Sequence, residues 1–524
     1  MKTMDHFEIL KNKLVENYLL KLKNNKKTVY SISTAVTLAL LVRLLYKKLN
    51  LPPKHLEGIP CITYLDVIKS LIRGDTVYER RKRLVLPLLG KAKGVYTEPT
   101  PIGWQIRSTN PSISKMILSD IELFPKVVHL FGKGNGLTTR FIGGKHLASL
   151  EGDEWKRHRR IVNPAFHRGI PIHIYGQLSQ RVFDMIKKLG YNHIHATSLC
   201  ERMTMDTIGL VGFGYDFHCT TQVNSEWLET YDIIRYSMTR LFFVLFQIFD
   251  DQLKWLFPSR VEAHQRLDHL LKRINEMIAL KRVTVTEKIG SLDYYSTTSD
   301  AEKDLLTLMM EAEIAGEGKL SDEELRRNMV MFFFAGHDTT AAARHQEIQK
   351  KAREEVVSIL GDHVEDIPSI ESIKKMPYLD AIVKETLRLN SPITKTLPRI
   401  AARDVAVDGF LIPQGTLVDV EIAATHMSEA NYSDPFEFKP ERFLESADVT
   451  STKQGLSYVP FGYGSHVCIG QNFSLAEQRV FLAMLLRKFE WTLALDSVHR
   501  DGMIAEGNGG VRPINLRIDF KPRF

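Results

Sequence analysis

Cysteine is scarce in this chain, and the few cysteines that occur are far apart. The 524 residues contain Cys61, Cys200, Cys219 and Cys468, and no two of them form a CxxC pair. Zinc ribbons and thioredoxin-type redox motifs need such pairs, and a disulfide scaffold needs many more cysteines. These classes of protein are therefore excluded, and so few cysteines suit a protein of a reducing compartment.

The body of the chain has almost no net positive charge, although the net charge of the whole chain is +8. The first 50 residues hold ten Lys and Arg against three acidic residues, which leaves +1 for residues 51–524. A nucleic-acid-binding domain needs a basic patch on the folded body, so we expect no nucleic-acid partner. Basic residues beside an apolar stretch are instead typical of a membrane-associated segment.

Long apolar runs are also rare, and the clearest one is near the N-terminus. Residues 29–46 read VYSISTAVTLALLVRLLY, with the single charge Arg43. About 20 apolar residues cross a bilayer, so this run predicts a transmembrane helix in which Arg43 snorkels outward. A buried core helix and an interfacial helix are the alternatives, whereas no cleavage site follows that would favour a signal peptide.

The chain has no internal repeat and no low-complexity tract. Residues 51–60 contain three prolines and predict a hinge, which divides the chain into an anchor (1–50), a hinge and one domain (61–524). Helical periodicity dominates that domain, over Pro111–Leu118, Asp153–Val162, Ile174–Leu189, Val261–Leu280, Ser321–Ala343, Glu347–Leu360, Tyr378–Leu389 and Ser474–Lys488. Strand patterns are confined to Val405–Leu411, Thr416–Ile422 and Asn515–Phe520. The predicted class is mainly α with small β-sheets.

One cysteine lies in a setting that suits a metal ligand. Residues 461–470 read FGYGSHVCIG, here called the Cys loop, and a helical pattern follows. Glycines let the backbone approach a flat ligand closely, and loop N–H groups can donate to a sulfur. A helix N-terminus stabilises a thiolate. The alternative is a glycine-rich turn with an incidental buried cysteine.

Other segments, in order along the chain, point to one family. Trp155 and Arg159 fit W-x-x-x-R, residues 335–340 read AGHDTT, residues 385–388 read ETLR, and residues 440–443 read PERF. With the Cys loop, these motifs resemble those of the cytochrome P450 family over roughly residues 52–524. The predicted anchor resembles that of the membrane-bound eukaryotic members, fungal ones among them.

The resemblance implies a haem b cofactor with Cys468 as the axial iron ligand, whose thiolate favours O–O cleavage. The implied contacts of the haem and its propionates are Trp155, Arg159, Arg399, Phe461, Gly464, His466 and Gly470. Glu385 and Arg388 are three residues apart and face one side of a helix. With Arg442 they form a predicted structural network that braces the Cys loop.

Residues 321–343 predict the distal helix over the haem. Ser and Thr side chains can bond to the carbonyl four residues earlier and bend a helix, which makes room for O₂ and a water beside Thr339. The resemblance implies that Thr339 holds this water and that Asp338 relays protons from solvent. Both are the predicted catalytic residues.

The sequence departs from the family pattern at two places. His466 stands where the family usually has arginine, so we expect a weaker and pH-dependent propionate contact. After Ala343, roughly ten apolar residues of the distal helix are missing, which is ~15 Å of helix at 1.5 Å per residue. Several large side chains would lose their packing partner, so weak haem retention is predicted.

The expected reaction is insertion of one oxygen atom from O₂ into an apolar small molecule. Implied partners are a separate NADPH-cytochrome P450 reductase and cytochrome b5. The implied location is the endoplasmic reticulum membrane, with a single-pass anchor and a cytosolic catalytic domain. Residues 241–256 are apolar and predict either a substrate-channel or membrane-dipping segment or a core helix. A haem-thiolate isomerase or dehydratase, and a non-catalytic haem or membrane protein, are the alternative functions.

Overall fold

The computed structural model describes residues 16, 26–100, 102–127, 134–167, 169–289, 303–316, 318–333, 345–444, 456–500, 503–506 and 512–524. Within these residues the body is mainly helical with four small β-sheets, the fold class that the sequence predicts. The helices are α1 (Lys26–Asn50), α2 (Tyr64–Ile72), α3 (Val77–Arg80), α4 (Leu86–Leu89), α5 (Pro111–Ser119), α6 (Leu137–Ile142), α7 (Gly152–His167), α8 (Ile172–Lys188), α9 (Ala196–Thr207), α10 (Glu226–Met238), α11 (Leu241–Leu245), α12 (Pro258–Ile289), α13 (Leu305–Ile314), α14 (Asp322–Phe333), α15 (Gln346–Leu360), α16 (Ile370–Lys374), α17 (Pro377–Leu389), α18 (Ile422–His426) and α19 (Gln471–Lys488). The strands are β1 (Val95–Thr100), β2 (Gly103–Ser108), β3 (Ile194–His195), β4 (Arg399–Ile400), β5 (Val405–Val407), β6 (Phe410–Ile412), β7 (Leu417–Val420), β8 (Phe489–Leu493), β9 (Ala505–Glu506), β10 (Arg512–Pro513) and β11 (Arg517–Pro522).

Local signals start several of the predicted helices. At the start of α14 the Glu324 N–H donates to Ser321 Oγ over 3.2 Å, and the Ser321 N–H donates to Glu324 Oε2 over 2.9 Å. This capping box satisfies N–H groups that have no partner inside the helix. Pro111 opens α5, where a missing N–H costs nothing, and the Asn110 side-chain oxygen caps the same helix.

Strands far apart in sequence build the four-stranded sheet, in the order β1-β2-β7-β4. β2 pairs with β1 in antiparallel fashion and with β7 in parallel fashion, so that Ile106 lies opposite Val418. The sequence predicts β7 but misses β1 and β2. In β2 the buried polar side chains of Gln105 and Arg107 hide the alternation that marks a strand.

The strand predicted over residues 405–411 is two strands joined by a tight turn. Asp408 and Gly409 have φ values of 52° and 86°, and they connect β5 to β6 in an antiparallel hairpin. Two successive residues with positive φ are what a two-residue hairpin turn requires, and Asp-Gly is a favoured pair for it. The turn signal in the sequence is therefore correct, and the continuous strand is wrong.

The Cys loop lies beside the helical core. α19, which follows the loop, packs against α8, α15 and α17. A second apolar cluster joins α7, α12, α13 and α14, and a third lies under the four-stranded sheet. Leu56 is 1% exposed and belongs to the third cluster, so the proline-rich segment 51–60 is fastened to the body at that residue.

The N-terminal run forms α1, with its apolar side chains facing outward. Leu38 and Leu44 are about 60% exposed. Among the described residues, however, no helix is both long and apolar enough to cross a bilayer. The predicted transmembrane helix over 29–46 is therefore not supported. Ser and Thr residues and Arg43 interrupt the apolar stretch and lower its mean hydropathy.

Residues 241–257 do not form a core helix. They make the short α11 and two further short turns, and their side chains are largely exposed, with Phe246 at 52% and Trp255 at 68%. Phe242 stacks on Phe249, their ring centres 5.3 Å apart. This exposure shows that the core-helix alternative is wrong, and it leaves an aromatic surface patch.

Candidate active site

The Cys loop closes on itself directly before α19. The Cys468 N–H donates to the Phe461 carbonyl over 2.9 Å. Gly464 has a φ of +75°, and a Cβ at this position would lie 2.8 Å from the Leu118 carbonyl oxygen. Any other residue would be strained here and would also push the loop away from α5. The glycine therefore fixes how closely the loop lies on its support.

The Cys468 thiol is open to solvent on one side and surrounded by protein on the others. The residue is exposed, yet desolvation raises the pKa of its thiol, while the Gly470 N–H and the nearby Arg159 act in the opposite direction. A Cβ on Gly470 would lie 4.0 Å from Cys468 Sγ. The sulfur therefore sits in a concave position with one N–H donor and one cation close by.

Three cations lie near one another beside the Cys loop, and none of their side chains donates a hydrogen bond to a carboxylate among the residues that the structure describes. We call Lys126, Arg159 and Arg399 the cationic cluster. Each donates to a main-chain carbonyl: Lys126 Nζ to Ala148 over 3.0 Å, Arg159 Nη1 to Val467 over 3.3 Å and Arg399 Nη1 to Phe124 over 2.8 Å. Burial lowers the pKa of Lys126 to about 8; Glu151 acts against this, and the two arginines reinforce it. The cluster is therefore short of negative charge.

Glu151 is the carboxylate that faces this cluster, and it is already engaged. Its Oε2 lies 3.1 Å from His466 Nε2, and its Oε1 accepts the Lys126 N–H over 2.9 Å. The His466 ring also lies against Trp155, their centres 4.2 Å apart, while its buried Nδ1 has no hydrogen-bond partner among the described residues. His466 therefore contacts both Glu151 and Trp155 within the protein.

The structure joins Glu385, Arg388 and Arg442 into one buried group, which we call the brace. Arg388 donates to both oxygens of Glu385 over 2.7 and 2.8 Å, and Arg442 Nε donates to Glu385 Oε1 over 3.0 Å. Glu385 and Arg388 are 0% exposed. Both charges are paired and hydrogen-bonded, which is the condition for burying them.

His426 connects the brace to the chain that enters the Cys loop. Its Nδ1 lies 3.1 Å from the Arg388 carbonyl, and its Nε2 accepts the Val459 N–H over 3.0 Å. Because Nε2 accepts, the proton is on Nδ1 and donates to the carbonyl. Burial lowers the pKa of His426 to about 3, so the ring stays neutral. The sequence offered no signal for this contact, since a lone histidine near a strand fits no motif.

The predicted site residues therefore fall into three sets. Cys468, Phe461, Gly464 and Gly470 form the loop, Trp155, Arg159, Arg399 and His466 surround it, and Glu385, Arg388 and Arg442 lie behind it. Asp338 and Thr339 lie outside the described residues, as does the shortening after Ala343. Lys126 and Glu151 were missed, because only the fold brings them to a loop more than 300 residues later.

Comparison with known families agrees with this arrangement. The family model described as Cytochrome P450 matches residues 130–514. The chain therefore belongs to the cytochrome P450 family, which makes it an oxidoreductase of the haem-thiolate monooxygenase class with haem b as its cofactor.

The similar proteins are widely spread among organisms. "Cytochrome P450 CYP72A219" of Panax ginseng is 28% identical over 473 residues, which is 85% of this chain and 84% of that protein. "Cytochrome P450 4B1" of Homo sapiens is 29% identical over 372 residues, 67% of this chain and 70% of that protein. The crystal structure of the cytochrome P450DA heme domain superposes with a TM-score of 0.71 at 21% identity, covering 89% of this chain and 98% of that one. The structural likeness concerns the fold alone.

The residues present fit this cofactor. An accessible thiol with an N–H donor at hand is the donor that a haem-thiolate centre needs. The partly buried cationic cluster has more positive than negative charge, so it can accept the two carboxylates of the haem edge. A thiol with a cluster of spare cations beside it matches the two chemically different parts of this one ligand.

Proposed function

We propose that this chain inserts one atom of O₂ into an apolar organic substrate, with electrons delivered by a separate NADPH-cytochrome P450 reductase and by cytochrome b5. The observation that carries the proposal is the pairing of the accessible Cys468 thiol with the cationic cluster. When bound, the haem supplies oxygen activation and transfer. The protein positions the substrate, delivers protons and keeps water out.

Each residue has a definite part in this proposal. Cys468 would hold the haem iron through its thiolate, and the Gly470 N–H donates to the Cys468 sulfur. Arg159, Arg399, Trp155 and His466 would hold the edge of the haem that carries its carboxylates. These contacts would orient the haem, and the brace keeps the Cys loop rigid.

Asp338 and Thr339 are proposed to deliver protons for the reaction. Thr339 holds a water, and Asp338 passes protons to it from solvent. A haem-thiolate isomerase or dehydratase has no need for such delivery, so the AGHDTT motif favours the monooxygenase. Among the similar proteins, one from Glycyrrhiza uralensis is named 11-oxo-beta-amyrin 30-oxidase and is 27% identical over 416 residues. That name concerns an oxidation of an apolar substrate, and it supports the same class here.

We propose a location at the endoplasmic reticulum membrane, with the catalytic domain in the cytosol. The support is the exposed apolar surface of α1, extended by Ile68 and Ile72 of α2. The Asn50 side chain accepts the Leu65 N–H over 3.0 Å and joins the two helices. Such a surface is stabilised by contact with lipid.

The test is turnover of a panel of apolar substrates by the purified chain with reductase and NADPH. Hydroxylated product that requires both is the expected result. Thr339→Ala should keep haem but release hydrogen peroxide in place of product, with a loss of ~10²–10⁴-fold, the usual range for proton-transfer groups. Turnover that needs neither reductase nor NADPH would instead favour the isomerase or dehydratase.

The missing helical residues after Ala343 have their own test. An Ala/Leu/Phe-rich insert of about ten residues between Ala343 and Arg344 restores ~15 Å of helix. We expect more haem per protein in the extended chain than in the 524-residue chain at equal expression. Equal and near-stoichiometric haem in both would show that the shortening is tolerated.

A further inference from the structure

Two buried side chains and a partly exposed glutamate join α7, which carries Trp155 and Arg159, to the distal helix α14. His158 of α7 and Asn328 of α14 are both 0% exposed. His158 Nδ1 lies 3.2 Å from Asn328 Nδ2, and His158 Nε2 lies 3.1 Å from Glu324 Oε1. We call His158, Glu324 and Asn328 the clamp.

The hydrogen bonds among His158, Asn328 and Glu324 have one consistent direction, with Arg157 Nη2 as a further neighbour 3.4 Å from His158 Nε2. The Leu147 N–H donates to Asn328 Oδ1 over 2.8 Å, so the Asn328 amide must present its NH₂ group to His158. His158 Nδ1 then accepts, which places the proton on Nε2, where it donates to Glu324. A chain of bonds with one allowed direction tolerates little displacement of either helix, because each break leaves a buried polar group without a partner.

Glu324 is fixed from both sides. Besides His158, its carboxylate accepts bonds from Arg157 of α7 and from the Ser321 N–H at the start of α14. Burial opposes ionisation, but these bonds lower the pKa of Glu324 to about 2. The glutamate is therefore charged at neutral pH, and it holds the first turn of α14 against α7.

The clamp adjoins residues of the proposed function on both helices. On α7, His158 directly precedes Arg159. On α14, Asn328 lies eleven residues before Thr339, which is three turns at 3.6 residues per turn. On the helix that the sequence predicts over residues 321–343, this spacing places both residues on about the same face, up to the bend expected beside Thr339. A rotation of α14 at Asn328 would then be transmitted toward Thr339.

We propose that the clamp is a positioning device that sets the register of the distal helix against the haem-binding helix, and thereby the fraction of electrons that ends in product. This inference rests on the proposed function. A clamp at the start of the distal helix would matter most in a chain whose sequence shortens that helix after Ala343, because less of it remains to be held at its far end.

His158→Leu removes both hydrogen bonds of the ring, whereas His158→Gln keeps one donor and one acceptor. Met329→Ala is the matched control, since Met329 is buried on α14 but takes no part in the clamp. That control costs ~2–5 kcal/mol of stability and removes no hydrogen bond of the clamp. Three quantities are measured for each protein: product per NADPH, haem per protein, and hydrogen exchange of the α14 backbone.

For His158→Leu we expect the product per NADPH to fall by ~10-fold or more, since a small misplacement can cost up to ~10²-fold. We also expect faster hydrogen exchange in α14. His158→Gln should restore most of the product per NADPH and most of the protection of α14 from exchange, and Met329→Ala should keep the wild-type product per NADPH. If His158→Leu does not fold, Glu324→Gln replaces it, because it keeps the shape of the side chain and removes one of the two acceptor oxygens that join α7 to the start of α14.

An equal fall in product ratio for Met329→Ala and His158→Leu would overturn the proposal, because the clamp would then contribute stability alone. Unchanged exchange and coupling in His158→Leu would overturn it as well. A wild-type chain without NADPH-dependent turnover would refute the proposed function instead, and the exchange measurement would still decide whether the clamp holds α14.

Discussion

The brace and a second buried charge network neutralise their buried arginines in different ways. The second network lies on the face of the four-stranded sheet opposite to the third apolar cluster. In the brace, Arg388 is held by one carboxylate and by the carbonyls of His426, Pro435 and Glu437. The second network, here the sheet network, consists of Glu98, Arg107, Asp419 and Glu421. Its arginine faces three carboxylates and, within hydrogen-bond distance, no carbonyl that the structure describes.

The difference lies in which atoms neutralise the charge. Carbonyl oxygens do not titrate near neutral pH, so the contacts that they make with Arg388 do not depend on pH. The sheet network depends on side-chain carboxylates that compete for Arg107. Glu421 also pairs with Arg81 over 2.9 Å, and Lys395 lies close to the same carboxylates. The Asp419 pKa is raised to about 6, mainly by burial, while Arg107 opposes the rise. We infer that the brace is rigid and that the sheet network responds to pH.

Glu385→Ala should have the largest effect. It leaves Arg388 and Arg442 buried without their carboxylate, and breaking such a pair costs ~3–5 kcal/mol. We expect little folded, haem-containing protein, measured as soluble yield and haem per protein.

Glu441→Ala is the matched control, since the exposed pair that Glu441 makes with Lys351 is worth under ~1 kcal/mol. Similar yields for the two variants would mean that burial of the brace carries no special weight.

Arg107→Met should be damaging at neutral pH but less so than Glu385→Ala. The carboxylates of the sheet network lose their shared cation, yet they can take up protons instead of staying charged. The urea midpoint of this variant should therefore move toward the wild-type value as the pH is lowered. If the urea midpoint of the variant lies below that of wild type by the same amount at pH 7 and at a pH about two units lower, the carboxylates of the network do not titrate in this range.

Asp419→Asn should show a smaller effect, in the pH dependence of stability. The folded-state pKa of Asp419, about 6, lies above its ordinary value of 3.8. The stabilisation from this group is therefore complete below about pH 4 and is lost as the pH rises through about 6, by at most ~1.4 kcal/mol per pKa unit. The stability of the variant relative to wild type should rise over that window. A constant difference would mean that Asp419 does not titrate there.

The same two networks show what the sequence can and cannot predict. Glu385 and Arg388 are three residues apart on one helix, so the ETLR motif predicts that they pair. The PERF segment indicates Arg442 as the third member. Arg107 and Asp419 are 312 residues apart. Their contact depends on the parallel pairing of β2 with β7, which no local pattern in the sequence marks.

The candidate active site divides in the same way. The Cys loop and its following helix were predictable, because the chemistry of a thiolate ligand requires glycines and a helix N-terminus within ten residues. Lys126, Glu151 and His426 were not, because each acts through a contact that exists only after folding. His466 was noticed as a departure from the family pattern, but its bond to Glu151 needed the structure.

The carbon-monoxide difference spectrum of the purified chain tests the central claim most directly. The wild-type chain should give the thiolate-type spectrum, and Cys468→Ala should lose it, because no other described cysteine lies in the Cys loop. Cys61→Ala is the matched control and should keep it. A thiolate-type spectrum that persists in Cys468→Ala would contradict the account.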